Sequence, residues 1–427
     1  VVDRTGGFER ERGLLRFDDF MDIVTKNKIT LFLDRSLFLF FLSLAFFLPV
    51  SNSGIEISFG LVMLGMMAKA ALQPPSFRAI RLFFSDRVNL AVLIFYILIG
   101  LSLTASGPLF AKSLRAWITK WGEGVLLFYF ARIFLTRKQL KALLYVLLVA
   151  TFIVCIDGLY QKATGADFLR GFDLNNVGNY LAVRATFNHY NDFATFLVAI
   201  FFINMGIFSS VKRMELRGVF FLLALMIIAN MLFTYSRGSW VAFFSICLLL
   251  AVFVANKRIK VMIFSMAAIF LIVVLAVPAL RERLVFILQK GGDATRFRMW
   301  TTAAAIFKDS PLVGCGLGLF MDNFSKYGSA SGCQYAHNCY LQILAETGIL
   351  GLASFLWIMG EVILRGYRRL KEKLDVIFIG VFSGFLAFLV HAFFDTQLFS
   401  LKLSIFFWLM LSFVVKLLEP REAGADG

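Results

Sequence analysis

Gln334 to Gly351 reads QYAHNCYLQILAETGILG. His337, Asn338 and Tyr340 stand at the mouth of an apolar run that Leu341, Leu344 and Thr347 to Leu350 carry onward at helical spacing. The pattern predicts a helix with a polar entrance facing water and an apolar body. A histidine at such an entrance can exchange protons near neutral pH. The plain alternative is an interfacial histidine satisfied by a nearby carbonyl, the commoner use of the residue. The sequence on either side has to decide between the two.

Similar runs recur on both sides. The chain has 427 residues, of which 59% are hydrophobic, 16% charged and 51 phenylalanine. A soluble chain would carry about a quarter charged residues. Runs near the ~20 residues needed to cross a bilayer repeat along the whole length. The fold class is an all-α polytopic membrane protein with one membrane domain. A transmembrane β-barrel is excluded, because the runs are continuous rather than alternating. The net charge of +16 lies in short basic clusters between runs, the positive-inside pattern. No nucleic-acid partner is expected. The five cysteines form no CxxC pair, and neither HExxH nor DxD occurs. No metal and no cofactor are expected. In an oxidising compartment Cys315, Cys333 and Cys339 would allow one disulfide, Cys315–Cys333 being the first pair to test.

The basic clusters orient the runs. Residues 1–28 read as a cytoplasmic arm, with a short amphipathic helix near Leu14 to Val24. Residues 29–280 hold membrane helices one to nine, and 281–337 form a long outer loop. Residues 338–418 hold helices ten to twelve, and 419–427 form a cytoplasmic tail. The total is about twelve crossings with both termini inside. The first of them is expected to act as the targeting signal. The fourth, around Trp117 to Phe134, begins among Lys112, Arg115, Lys120 and Glu123.

This topology places the three histidines, His189, His337 and His391, on the outer face with Arg184, Arg237, Arg296 and Arg298. Arginines there run against the positive-inside bias. Snorkelling, or pairing with Asp293 or Asp309, is one explanation. Arg281 and Arg283 bracket Glu282 and suit pairing well. Arg237 lies in the short turn Tyr235 to Ser239, with no carboxylate beside it in sequence. A guanidinium held there suits bidentate binding of a phosphate or diphosphate. The outer acidic residues, Asp395 among them, are scattered and form no obvious catalytic pair. Gly314, Gly316 and Gly318 follow no predicted strand, so they do not read as a nucleotide fingerprint.

Five segments in order carry a family resemblance. They are RATFNHYNDFA (Arg184 to Ala194), TYSRGSW (Thr234 to Trp240), RFRMWTTAAAIFKDSPLVGCGLGLF (Arg296 to Phe320), HNCYLQILAETGILGL (His337 to Leu352) and HAFFDTQLF (His391 to Phe399). Together they resemble the bacterial O-antigen ligase and O-antigen polymerase superfamily, from about residue 140 onward. The resemblance implies a GT-C-like glycosyltransferase of the bacterial inner membrane, with its active site facing the periplasm. It implies an undecaprenyl-diphosphate-linked glycan as donor and lipid A–core as acceptor. His337 would be the catalytic base. Arg237 would contact the diphosphate, with Arg298 or Arg296 as a second contact and Arg184 as a third. Asn338, Tyr340, His189, His391 and Asp395 would support the site, and the outer loop would cover it.

The chemistry suits these residue types. Arginines stabilise a departing diphosphate, and a neutral histidine can take the acceptor's proton. Direct attack would invert the anomeric centre. A polymerase joining lipid-linked repeats, or a ligase acting on protein, shares the motifs. A transporter of lipid-linked anions is the alternative from another class. It would carry ionisable residues near the middle of its crossings, whereas here they gather mainly at the ends.

Overall fold

The computed structural model describes residues 17–253, 257–285, 294–327, 335–372 and 375–420. Among them, eight helices are long and apolar enough to cross a membrane, or nine if one sharply bent pair counts as a span. Two shorter apolar helices, Arg237–Phe253 and Val376–His391, run among them. The chain is therefore an all-α polytopic membrane protein. Among the described residues it also has a small antiparallel hairpin, Asn175–Val177 with Tyr180–Ala182.

The first helix runs unbroken over Phe17–Val50, so the expected arm passes into the first crossing without a turn. The rest of that arm, residues 1–16, lies outside the described residues. The expected fourth crossing is a broken succession ending in a π-helical turn, Ala116–Gly122, and a short helix, Glu123–Phe134. Near residue 277 the chain bends by 94° between Phe264–Ala276 and Pro278–Val285. Proline cannot continue the hydrogen-bond ladder of the helix before it. Within the outer loop the described residues form two helices, Ala294–Asp309 and Phe320–Tyr327.

Burial separates the centre of the bundle from its rim. Leu401–Leu418 is 83% buried and Tyr190–Ser210 is 78% buried, against 28% for Lys28–Val50. Tyr190–Ser210 packs on Val376–His391 through glycines. A Cβ on Gly206 would come within 2.7 Å of the Val376 carbonyl, and one on Gly384 within 2.5 Å of the Ala199 carbonyl. Small residues let membrane helices approach at backbone distance, where dispersion replaces the missing hydrophobic drive. This contact fixes His391, at the end of one helix, against Thr195 near the start of the other.

The helix opened by His337 departs from the expected continuous run. Cys339–Glu372 is two helices joined at Gly348, whose φ is 65°. The break leaves carbonyls without helical partners. The glycine-rich loop supplies them: Cys315 N donates to Ala345 O at 3.0 Å and Gly316 N to Glu346 O at 3.0 Å. In return Ile349 N donates to Pro311 O at 2.8 Å. A Cβ on Gly314 would collide with Glu346, and one on Gly348 with Leu312. Gly314 and Gly348 are thus the price of a loop docked backbone-to-backbone on a broken helix.

At the far end of the bundle, Arg365 pairs with Asp86 at 2.8 Å and Arg132 with Glu419 at 2.5 Å. Part of the basic charge expected inside therefore ties helix ends together. Cys315 and Cys339 are free thiols. Cys333 lies outside the described residues, and no disulfide joins the described cysteines.

Candidate active site

His337 ends a loop and precedes a helix. Asn338 caps that helix, its Oδ1 accepting from Leu341 N at 3.0 Å, the standard use of an amide at this position. Cys339 N donates to Ala392 O at 2.8 Å, which brings the end of the Val376–His391 helix alongside. The loop that follows then delivers Asp395. His337 Nδ1 lies 3.0 Å from Asp395 Oδ1, which also accepts from Thr396 N at 2.8 Å. Burial alone would raise the Asp395 carboxyl. The His337 hydrogen bond and charge, His189 and the Thr396 amide together hold it well below the usual carboxylate range. A carboxylate on Nδ1 orients the ring and leaves Nε2 for chemistry. Among the described residues Nε2 has no hydrogen-bond partner, and the His337 side chain is 31% exposed.

A buried chain fixes this residue from below. Ala336 N donates to Gln342 Oε1 at 2.8 Å, Gln342 Nε2 to Glu346 Oε1 at 2.7 Å, and Gly318 N to Glu346 Oε2 at 2.7 Å. Tyr340 points away from the site, its hydroxyl donating to Leu389 O at 2.9 Å.

Three non-glycine residues among those described have positive φ: Ala185 (44°), Tyr235 (52°) and His337 (48°). Each adjoins or is a residue singled out above, next to Arg184, two before Arg237, and His337 itself. Such conformations cost of order 1–3 kcal/mol and persist where surrounding structure imposes them, often at functional sites. Gln161 imposes one, its Oε1 accepting from both Arg184 N and Ala185 N at 2.9 Å. Nothing in the sequence signalled these positions.

His189 caps Tyr190–Ser210, its Nδ1 accepting from Asn191 N at 3.3 Å. Burial, more than the nearby charges, pushes its imidazole below the ordinary value of 6.5. Asp395 opposes that shift, while His337, Arg184 and Arg296 add to it. His391 is buried. Its Nδ1 meets Thr195 Oγ1 at 3.0 Å and the Gln397 amide, and its Nε2 meets Ser236 Oγ at 3.3 Å. A Cβ on Gly238 would stand 3.0 Å from His391 Nε2, so the Ser236-Arg237-Gly238 turn rests directly on this ring.

The arginines divide. The charges of Arg237, Arg283 and Arg296 all reach Tyr190, and that of Arg296 also reaches His189 and His391. Arg298, two residues along the same helix, is exposed. Arg184 braces its own loop. Its Nε donates to Asp173 O at 2.7 Å, its Nη1 to Asn188 O at 3.1 Å, and its guanidinium lies 4.6 Å from the Phe172 ring centre. Arg283, which with Arg281 brackets Glu282 in sequence, also donates from its Nε to Tyr235 O at 3.3 Å, two residues from Arg237. The bend before Pro278 carries it there, and a proline at the end of an apolar run is the only sequence sign of that turn.

His337, His189 and Asp395 open into a cleft of about 560 Å³ that continues past Asp192, Ser400 and Lys402 to Asn52. One end of the bundle thus holds a histidine–aspartate pair, a group of arginines whose charges reach Tyr190, and a polar cleft. Such a layout can take a proton from a hydroxyl and receive an anionic leaving group.

Comparison with known proteins bears on these residues. Residues 220–356 match the model of the O-antigen ligase family, a span that contains Arg237, Arg283, Arg296, Arg298 and His337. The chain is also similar to an O-antigen ligase of Salmonella typhimurium (strain LT2), 24% identical over 322 residues, which cover 71% of this chain and 74% of that protein. With the helical membrane architecture and the ordered motifs, these matches make the chain similar to O-antigen ligases.

Proposed function

We propose that this protein is a ligase that transfers a glycan from undecaprenyl diphosphate to a sugar hydroxyl of lipid A–core at the periplasmic face of the inner membrane. The observation that carries the reading is the His337–Asp395 pair at 3.0 Å, with the charges of three arginines felt at Tyr190 nearby. Asp395 holds Nδ1, and Nε2 takes the proton of the acceptor hydroxyl. The acceptor oxygen bonds to the anomeric carbon as the bond from that carbon to the diphosphate oxygen breaks. Arg237, Arg283 and Arg296 receive the diphosphate charge, the kind of prearranged stabilisation that gives enzymes their largest gains. Attack is direct, so the anomeric centre inverts. His391 and Gly238 set the height of the arginine turn, and Arg184 and His189 shape the wall between donor and acceptor.

The test is transfer by the purified, reconstituted protein with undecaprenyl-diphosphate glycan and lipid A–core, with and without chelator. A glycan-capped core is the expected product. Longer lipid-linked chains with no capped core would make the protein a polymerase instead. Movement of intact donor across the vesicle, without transfer, would make it a transporter.

A further inference from the structure

The cleft beside His337 carries chemistry that the transfer mechanism does not use. Its wall away from the arginines is built by Asn52, Asn188, Asp192, Ser400 and Lys402. Asn52 Oδ1 is buried with no hydrogen-bond partner among the described residues, which leaves an acceptor waiting for an O–H or N–H donor. Asp192 is hydrogen-bonded by Ser400, and its carboxyl group has further hydrogen-bonding capacity for a ligand hydroxyl. Lys402 offers little to a ligand anion. Its Nζ donates to Pro49 O at 3.0 Å and to Thr186 O at 2.8 Å, lies 4.5 Å from the Phe187 ring centre, and has the Asp192 charge nearby.

Tyr335 and Phe399, with ring centres 5.8 Å apart, border the same space. Their faces suit the C–H side of a sugar ring. The volume falls within the ~300–1,000 Å³ of ordinary ligand sites. No arginine lines it. Phe399, Ser400 and Leu401 also line a second cavity, bounded by Glu56, Arg115 and Lys120.

We propose that this cleft is the acceptor subsite, and that it selects an uncharged, hydroxyl-rich sugar through Asn52, Asp192 and Ser400. The assignment rests on the reading above that the arginine side takes the donor diphosphate. Asp395, held as a carboxylate, faces the bound sugar, so an acceptor whose terminal sugar carries phosphate meets like charge. Asp192 and Asn52 are specificity residues, and the proton transfer stays with His337.

The experiment compares two acceptors with the full-length reconstituted protein: a glycolipid ending in a neutral hexose, and the same glycolipid phosphorylated on that hexose. Wild type should favour the neutral acceptor at least about tenfold. Asn52→Leu should raise the acceptor KM about tenfold with the donor KM held within about twofold. Ser400→Ala serves as a second variant if Asn52→Leu does not fold. Equal use of both acceptors by wild type would overturn the proposal, as would a variant that moves the donor KM instead. If wild type transfers to neither acceptor, the ligase reading falls. Calorimetry with the free neutral oligosaccharide then decides the cleft alone: binding lost in Asn52→Leu supports it, and no binding by wild type refutes it.

Discussion

His337 and His391 stand at the same end of the bundle, and the charge of Asp395 reaches both. The two rings are used in opposite ways. His391 is 1% exposed, and both its nitrogens are occupied by Thr195, Gln397 and Ser236. His337 is partly exposed, holds one carboxylate on one nitrogen and turns the other to a cleft. The first ring is a strut under the arginine turn, and the second is available for proton transfer. Residue type and height in the membrane are shared, so burial and hydrogen-bond occupancy decide the role.

Four experiments can break or sharpen that contrast. His337→Ala should lower transfer by about 10²–10⁴-fold with little change in melting temperature. Near-full activity in a transfer assay would remove the base from the mechanism. Asp395→Asn should cost about 10²-fold or more, because the amide no longer enforces the productive tautomer. Its turnover, measured at saturating substrates, should fall more than its affinities. His391→Phe should act chiefly on stability. Thr195, Ser236 and Gln397 would lose their partner inside the bundle, a penalty of roughly 1–3 kcal/mol per buried group left unsatisfied. Thermal unfolding in detergent would register it, and an unchanged midpoint would contradict the strut.

The smallest effect concerns His189. Its folded pKa lies below the ordinary 6.5, so the unfolded chain binds the proton first. Stability is then complete above about pH 6.5 and declines as pH falls below that value. His189→Asn preserves the helix cap and should flatten the fall in melting temperature between pH 7 and 5. An equal slope in both proteins would assign that fall to other groups.

The site was legible to different depths. The helix opened by His337 and the short turn at Arg237 stood out because a polar residue at the end of an apolar run has few structural uses. Asp395 was one acid among several scattered along the outer face. It joins His337 only because Cys339 N and Ala392 O meet, 53 residues apart in sequence. Arg283 and Arg296 acquire their positions from a bend and from a loop helix, neither of which has a periodic signature that points to the site. The Gly314–Gly318 segment was read as lacking a nucleotide role. Its actual use, docking on a broken helix, depends on Gly348 lying opposite.

The sequence alone determined the class of the molecule. Its hydropathy dictates crossing helices because lipid offers no partners for bare backbone groups, and five ordered motifs indicate the superfamily. The tertiary structure alone decided which polar residues act together. Hydropathy records how deep a residue sits, and the angle around the bundle follows from glycine contacts between helices and from breaks at Gly348 and near Pro278. Those contacts make His189 a helix cap and His391 a strut, and leave one nitrogen of His337 turned to a cleft.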